Sequence, residues 1–196
     1  MNKEEFKLSL QELNINLTEK QFIQLDTYAK YLLEYNKHTN LTAIKTEEEV
    51  YLKHFYDSLT LTKIHSFTSE SLLDVGTGAG FPGLVLAIAF PKLQVTLLDS
   101  NNKKISFLKE ICLKLNLNNV QVVYQRAEDY AKKNRETFDL VTSRAVAELR
   151  ILIELNIPVL KVNGSFLVMK SNITEEIISA AAAMQQLYCH VEEKFA

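Results

Sequence analysis

Four of the five glycines in the chain fall between Gly76 and Gly83, in the run Leu72-Leu73-Asp74-Val75-Gly76-Thr77-Gly78-Ala79-Gly80-Phe81-Pro82-Gly83. Backbone freedom is thus concentrated in one turn, of the kind that must reach positive φ and let a ligand approach the main chain closely. Residues 72–75 before it, apolar except for Asp74, are of strand type. After it, Pro82 suits the first turn of a helix, where its missing N–H costs nothing, and residues 84–90 continue as an apolar helix as far as Pro91. Strand, glycine turn and helix are the way a doubly wound α/β sheet opens a nucleotide site.

The segment Gly78-Ala-Gly80-Phe-Pro-Gly83 fits the dinucleotide pattern G-x-G-x-x-G, which is a weak signal alone. Asp74, two residues before the first glycine, discriminates between ligands. A carboxylate at the strand's end would face what the turn holds. It would repel a pyrophosphate by about 4 kcal/mol per unit charge pair, at ~4 Å and an effective dielectric of ~20, and would attract a cation equally. S-adenosylmethionine carries a sulfonium and an ammonium, so Asp74-x-Gly76-x-Gly78-x-Gly80 favours a methyltransferase over a nicotinamide-dependent oxidoreductase.

Further candidates sit where strands of such a sheet end. Asp99 closes the strand of residues 95–98, 23 residues beyond Gly76, where an acid accepts hydrogen bonds from a ribose diol. If Asp99 serves the ligand, Ser100 or Asn101 can cap the following helix. Gln125-Arg126-Ala127-Glu128-Asp129 follows a third strand, and there a backbone N–H and the Glu128 carboxylate could take the edge and amino group of an adenine. Arg144 ends a fourth strand, aimed at the same crevice, where it could meet a carboxylate or a phosphate. Lys170 ends a fifth. Ahead of the sheet, Lys53, His54 and Asp57 share one turn of helix, and the first two are candidates to face a substrate.

The elements that position these residues follow from periodicity and caps. Residues 3–13 form a short amphipathic helix with Phe6, Leu10 and Leu13 inward. Thr18 with Gln21 is a capping box for a helix over 19–37, whose Phe22, Leu25, Ala29, Leu32 and Tyr35 make a core stripe. Thr46 with Glu49 starts a third helix reaching about Thr62, after the polar turn 36–42. Strands at 72–75, 95–98, 120–123, 138–142 and 165–169 alternate with helices at 84–90, 102–115 and 146–161, and Thr174-Glu175-Glu176 caps a last helix to about Tyr188. The 146–161 helix is expected to be interrupted near Pro158 and stopped by Asn163-Gly164. The division is a helical cap over 1–64 and a ligand-binding α/β domain over 71–196.

Composition sets limits. With 196 residues, 47% hydrophobic and 23% charged, the chain reads as one well-cored globular domain plus a small appendage. A net charge near −2 argues against coating nucleic acid through bulk charge, though not against a local basic face. No run approaches a membrane span and the N-terminus lacks a signal peptide's apolar core, so a cytoplasmic location and no membrane partner are expected. Cys112 and Cys189 stand apart with no ligand cluster, which leaves no metal or disulfide reading, and Cys112 fits the inward stripe of its helix.

Beyond these readings, the chain resembles the Rossmann-type S-adenosylmethionine methyltransferases. It is most similar to one branch, the bacterial ribosomal RNA small-subunit methyltransferase G family, also called glucose-inhibited division protein B. The resemblance is carried by Asn40-Leu41-Thr42, Lys53-His54-x-x-Asp57-Ser58-Leu59, Leu73 to Gly83, Leu97-Leu-Asp-Ser100, Lys103-x-x-x-Phe107-Leu108, Ser143-Arg-Ala-Val-Ala147 and Lys170. It implies methylation of guanine N7 in 16S rRNA, with 16S rRNA or the small ribosomal subunit as partner and the enzyme acting as a monomer. It also implies that Gly76, Phe81, Ala127, Glu128 and Arg144 contact the cofactor, beside Asp74, Gly78 and Asp99, and makes Lys53, His54 and Lys170 candidates for the RNA face. Members of the family usually continue with two further strands, so the last two strands of the usual sheet are expected to be absent. A lone pair at N7 needs no general base, and the sequence offers neither an obvious base nor a nucleophile. A small-molecule methyltransferase with the helical cap as a lid, a nicotinamide-dependent oxidoreductase and a non-enzymatic RNA-binding module are the alternative readings.

Overall fold

The computed structural model describes residues 1–144, 147–170 and 173–192. Ala145 and Val146, part of the segment after the fourth strand, lie outside the described residues, as does the predicted helix start at 146.

A five-stranded, wholly parallel sheet forms the centre, in the order β3-β2-β1-β4-β5. Its strands are β1 (Ser71–Val75), β2 (Gln94–Asp99), β3 (Val120–Tyr124), β4 (Phe138–Arg144) and β5 (Leu160–Met169). The chain steps outward from β1 to β3, then returns to lay β4 against the other side of β1. The crevice at that reversal, outside the carboxyl ends of β1 and β4, is where doubly wound sheets hold ligands. Helices α5 (Gly83–Ala89), α6 (Asn102–Lys114), α7 (Ala127–Lys133) and α8 (Leu149–Asn156) make the crossovers, and α9 (Ile173–Gln186) packs on α8.

Alternation along the strands sends Leu72, Val95, Leu97 and Leu140 into one apolar cluster and Leu73, Val75, Leu98 and Val141 into another on the opposite face. The first cluster also contains Phe6 and Leu10 of α1 (Lys3–Glu12) and Leu25, Tyr28 and Leu32 of α2 (Glu19–Thr39). The amino-terminal helices therefore share a core with α5, α6 and one face of the sheet. The Thr18–Gln21 capping box forms, and the Gln21 amide also donates to the carbonyls of Ile88 and Ala89, at 2.7 and 2.9 Å, which ties the start of α2 to the end of α5. Asn40, with φ 53°, ends α2 in the left-handed region that asparagine tolerates.

Three local expectations need correction. The helix capped by Thr46 is not uniform: α3 (Glu47–Val50) passes into a π-helical turn (Tyr51–Tyr56), α4 (Asp57–Leu59) and a 3-10 turn (Thr60–Lys63). The helix expected to reach 161 ends at Asn156, followed by a 3-10 turn through Pro158, and β5 already begins at Leu160. Pro158 withholds an N–H, and the β-branched Val159 and Val162 favour extended backbone. Asn163 (φ 65°) and Gly164 therefore lie inside β5, where the ladder to β4 slips register between Phe138 and Leu140. Thr174 stands in the first turn of α9, which begins at Ile173, and so is not its cap.

Candidate functional site

The glycine turn leaves β1 through Gly76 (φ 70°), Gly78 (φ 65°) and Gly80 (φ 105°), a path closed to most side chains. The Gly76 and Thr77 N–H groups donate to the Leu98 carbonyl at 2.8 and 3.1 Å, which hooks the turn over the end of β2. A Cβ on Gly80 would lie 2.6 Å from Tyr28 Oη and 2.9 Å from Leu84 Cβ; on Gly83 it would lie 2.7 Å from Asp74 Oδ2. A Cβ on Gly78 would meet nothing nearer than the Gly76 carbonyl oxygen, at 4.0 Å. The turn is packed on its helix side and open at Gly78.

Asp74 is fully buried. Sequence reasoning puts it at the mouth of the turn; the structure puts it beneath, because it shares the face of Leu72, which α5 covers. Its Oδ2 accepts from Thr77 Oγ1 at 2.7 Å and from the Gly83 N–H at 2.8 Å, joining the two ends of the turn. Its Oδ1 is buried and accepts no hydrogen bond. Burial pushes this carboxyl up to about 6, against the pull of the two hydrogen bonds and of the Arg144 charge. A buried acceptor left without a donor at a ligand turn is what a polar or cationic ligand group would complete.

Asp99, also buried, reaches the same turn. Its Oδ2 accepts from the Gly78 N–H at 2.9 Å and lies 3.5 Å from Lys104 Nζ, and its Oδ1 accepts from the Asn101 N–H at 2.8 Å. Asn101 caps α6 by accepting from Lys103 and Lys104, so Asp99 is not spent on that task. Across β2, Ala127 opens α7 half-buried, and Glu128 stands exposed in its first turn.

Arg144 ends β4 but turns toward the helical cap. One Nη1 donates to the Lys53 carbonyl at 3.1 Å and to Asp57 Oδ2 at 2.8 Å, while Nη2 donates to His54 Nδ1 at 3.0 Å. The guanidinium lies 5.1 Å from the centre of the Phe81 ring, and His54 stacks on that ring at 4.0 Å. His54 Nδ1 lies between Arg144 Nη2, which can only donate, and the Lys53 carbonyl at 3.1 Å, which can only accept; in the tautomer that takes the arginine N–H, Nε2–H donates to Thr42 Oγ1 at 3.1 Å. Asn36 holds that threonine through both its backbone groups. Burial first, then the Arg144 charge, bring His54 down to about 4, so the imidazole is neutral at physiological pH.

Of the residues expected at the RNA face, Lys53 is exposed and pairs with Glu49 at 2.7 Å, whereas His54 is buried behind it. Lys170 donates to the Ala147 carbonyl at 2.6 Å and pairs with Glu176, whose carboxylate also accepts from the Leu149 N–H at 2.6 Å. It fastens the end of β5 to α8 and α9. Cys112 lies buried in α6, and burial pushes its thiol up to about 12. Among the described residues no group of three His, Cys, Asp or Glu side chains is placed to hold a metal, and no helix is long and apolar enough to cross a membrane.

Two participants escaped sequence reasoning. Tyr28 stacks on Phe81 at 5.4 Å and donates its hydroxyl to the Ala79 carbonyl inside the glycine turn. It sits three residues from Leu25 and four from Leu32, so the core stripe could have included it. Asp57 was placed beside Lys53 and His54 without a role; nothing local shows that its partner lies 87 residues on.

The profile of the GidB family, described as rRNA small subunit methyltransferase G, matches residues 21–195. The ribosomal RNA small subunit methyltransferase G of Oceanobacillus iheyensis is 46% identical over 98% of this chain and 83% of its own length. That of Pediococcus pentosaceus is 50% identical over 91% and 76%. Among solved structures, a SAM dependent methyltransferase from Aquifex aeolicus superposes with a TM-score of 0.54 at 20% identity, over 74% of this chain and 85% of that one, a likeness of fold. Near-half identity along almost the whole sequence, with the glycine turn and Arg144 inside the matched span, makes this chain a member of the rRNA small subunit methyltransferase G family.

Proposed function

We propose that this chain is an S-adenosylmethionine-dependent methyltransferase that transfers a methyl group to N7 of a guanine in 16S rRNA of the small ribosomal subunit. It acts in the cytoplasm as a monomer. The observation that carries the cofactor assignment is the buried Asp74 Oδ1, which lacks a donor at the base of a positive-φ glycine turn, on the crevice where the strand order reverses. The rRNA substrate rests on family membership.

When bound, the cofactor supplies an electrophilic methyl group on a sulfonium. Gly76 and Gly78 would let it lie against the backbone, Asp99 would meet its hydroxyl groups, and Asp74, buried beneath the turn, would add negative charge below the site. Ala127 and Glu128 sit to take the adenine. Phe81 carries the Arg144 guanidinium, which would hold the cofactor carboxylate. Lys53, exposed on the cap beside this cluster, is the residue for an RNA phosphate.

Guanine N7 attacks with a lone pair and releases no proton, so positioning supplies most of the acceleration. The residues agree with such a reaction. His54 is buried, with both ring nitrogens held against protein groups, and Cys112 is a protonated thiol within the core. Neither is available as base or nucleophile.

The test is to map N7-methylguanine in 16S rRNA from cells with and without the gene. One guanine should lose its mark in the deletion strain and regain it on complementation; identical maps refute the assignment. A thermal-shift comparison of S-adenosylmethionine with NAD tests the cofactor separately, and stabilisation by NAD alone rejects it.

A further inference from the structure

Arg144 receives three acceptors from a single turn of the helical cap, and that turn is the π-helical one. In an α-helix the Asp57 N–H would donate to the Lys53 carbonyl, four residues back. Here it donates to the Leu52 and His54 carbonyls, and the Lys53 carbonyl accepts from Arg144 instead. The same widened turn sets the Asp57 carboxylate and the His54 ring on either side of the guanidinium. Single π turns inside helices recur at functional sites for this reason: they present groups that a regular helix would hide.

We propose that Asp57 is a positioning residue for the cofactor site: with His54 and the Lys53 carbonyl it fixes Arg144 over Phe81, so that the remaining N–H donors of the guanidinium grip the carboxylate of the methyl donor.

Three of the five N–H donors of Arg144 are engaged by the cap, and the Nε–H and one Nη2–H have no acceptor among the described residues. Two N–H donors are what a bidentate grip on a carboxylate requires. An arginine side chain has several rotatable bonds, and fixing them before the ligand arrives removes an ordering cost from binding. Asp57 is the charged member of the cradle and holds the guanidinium through a charge-assisted bond of 2.8 Å. The pair is half open to water on the Asp57 side, where an ion pair adds little to fold stability. Its place at the crevice is better explained by what it does to Arg144 than by what it adds to the fold.

This inference rests on the reading of Arg144 as the carboxylate-binding residue, and its test separates the two. S-adenosylmethionine and 5′-methylthioadenosine share the adenosine part, but only the first carries the amino-acid carboxylate. Calorimetric Kd values for both ligands are measured on the wild-type protein and on Asp57→Ala, Asp57→Glu and Arg144→Ala. The expectation is at least a tenfold loss of S-adenosylmethionine affinity in Asp57→Ala and in Arg144→Ala, with methylthioadenosine affinity within twofold of wild type in both. Asp57→Glu, which keeps the charge, should recover most of the loss. Equal losses for the two ligands in Asp57→Ala would mean a structural role and overturn the inference. A selective loss in Arg144→Ala without one in Asp57→Ala overturns it too, while leaving the Arg144 reading intact. No selective loss in Arg144→Ala, or no binding of S-adenosylmethionine by wild type, overturns both.

Discussion

Asp74 and His54 titrate in opposite senses within one overlapping pH window, and this gives the structure a quantitative signature. Asp74, raised from 3.8 to about 6, holds its proton in the folded state at pH values where the unfolded chain has released it. Its contribution favours folding in acid and is lost as pH rises from about 4 to 6. His54, lowered from 6.5 to about 4, stays neutral in the folded state while the unfolded chain takes up a proton. Its contribution is present above pH 6.5 and is lost as pH falls toward 4. At about 1.4 kcal/mol for each pH unit of displacement, each amounts to roughly 3 kcal/mol, and in the wild-type protein they nearly cancel. Substitution of either should expose the other. Urea unfolding at pH 6.5, 5.5 and 4.5 gives the variant-minus-wild-type difference at each pH, in which the background of other carboxylates drops out. Asp74→Asn should fall relative to wild type by about 2 kcal/mol between pH 6.5 and 4.5, and His54→Asn should rise by a similar amount. Differences that stay flat within about 0.5 kcal/mol would show that neither group is buried as described.

Three further outcomes are expected. Gly78→Val forces a β-branched residue to positive φ at an open position; it should cost about 1–2 kcal/mol by chemical denaturation, keep the native circular dichroism and abolish S-adenosylmethionine binding. Gly80→Ala adds one methyl group against Tyr28 Oη and Leu84 Cβ, and should cost more, about 3 kcal/mol; a smaller loss than at Gly78 contradicts the packing. Lys53→Glu places a like charge four residues from Glu49 on an exposed surface. It should leave cofactor affinity unchanged in calorimetry while lowering methyl transfer to small-subunit rRNA, and unchanged transfer would remove Lys53 from the RNA face.

The sheet and its crevice were legible because their signals are local. Each strand is an apolar run bounded by turn residues, and the glycines between Asp74 and Gly83 announce positive φ with no knowledge of the rest of the chain. The place of Asp99 at a strand's carboxyl end was legible from its spacing, whereas the choice of Asn101 over Asp99 or Ser100 as the helix cap was left to the structure. What stayed hidden is tertiary. The π turn cannot be read from the 47–63 segment, because it is stabilised by Arg144, a partner that arrives 87 residues after Asp57. Arg144 was read as facing the ligand alone, since strand-end position says where a side chain starts and nothing about the acceptors that meet it. The pairing of Lys170 was hidden for the same reason: Glu176 lies only six residues on, but the two meet because α9 folds back onto α8. The early start of β5 was a contest between a glycine read as a helix stop and a strand able to absorb it as an irregularity.

The bond from Tyr28 to the Ala79 carbonyl spans 51 residues of sequence. It makes the ligand loop dependent on a helix that precedes the sheet altogether. The loop carbonyl that Tyr28 holds keeps this partner only while α2 is docked. Ligand affinity is therefore a gauge of whether the first forty residues are seated, and a destabilising change buried near Phe6 or Leu32, far from the crevice, should register first as weakened binding and only later as loss of the sheet.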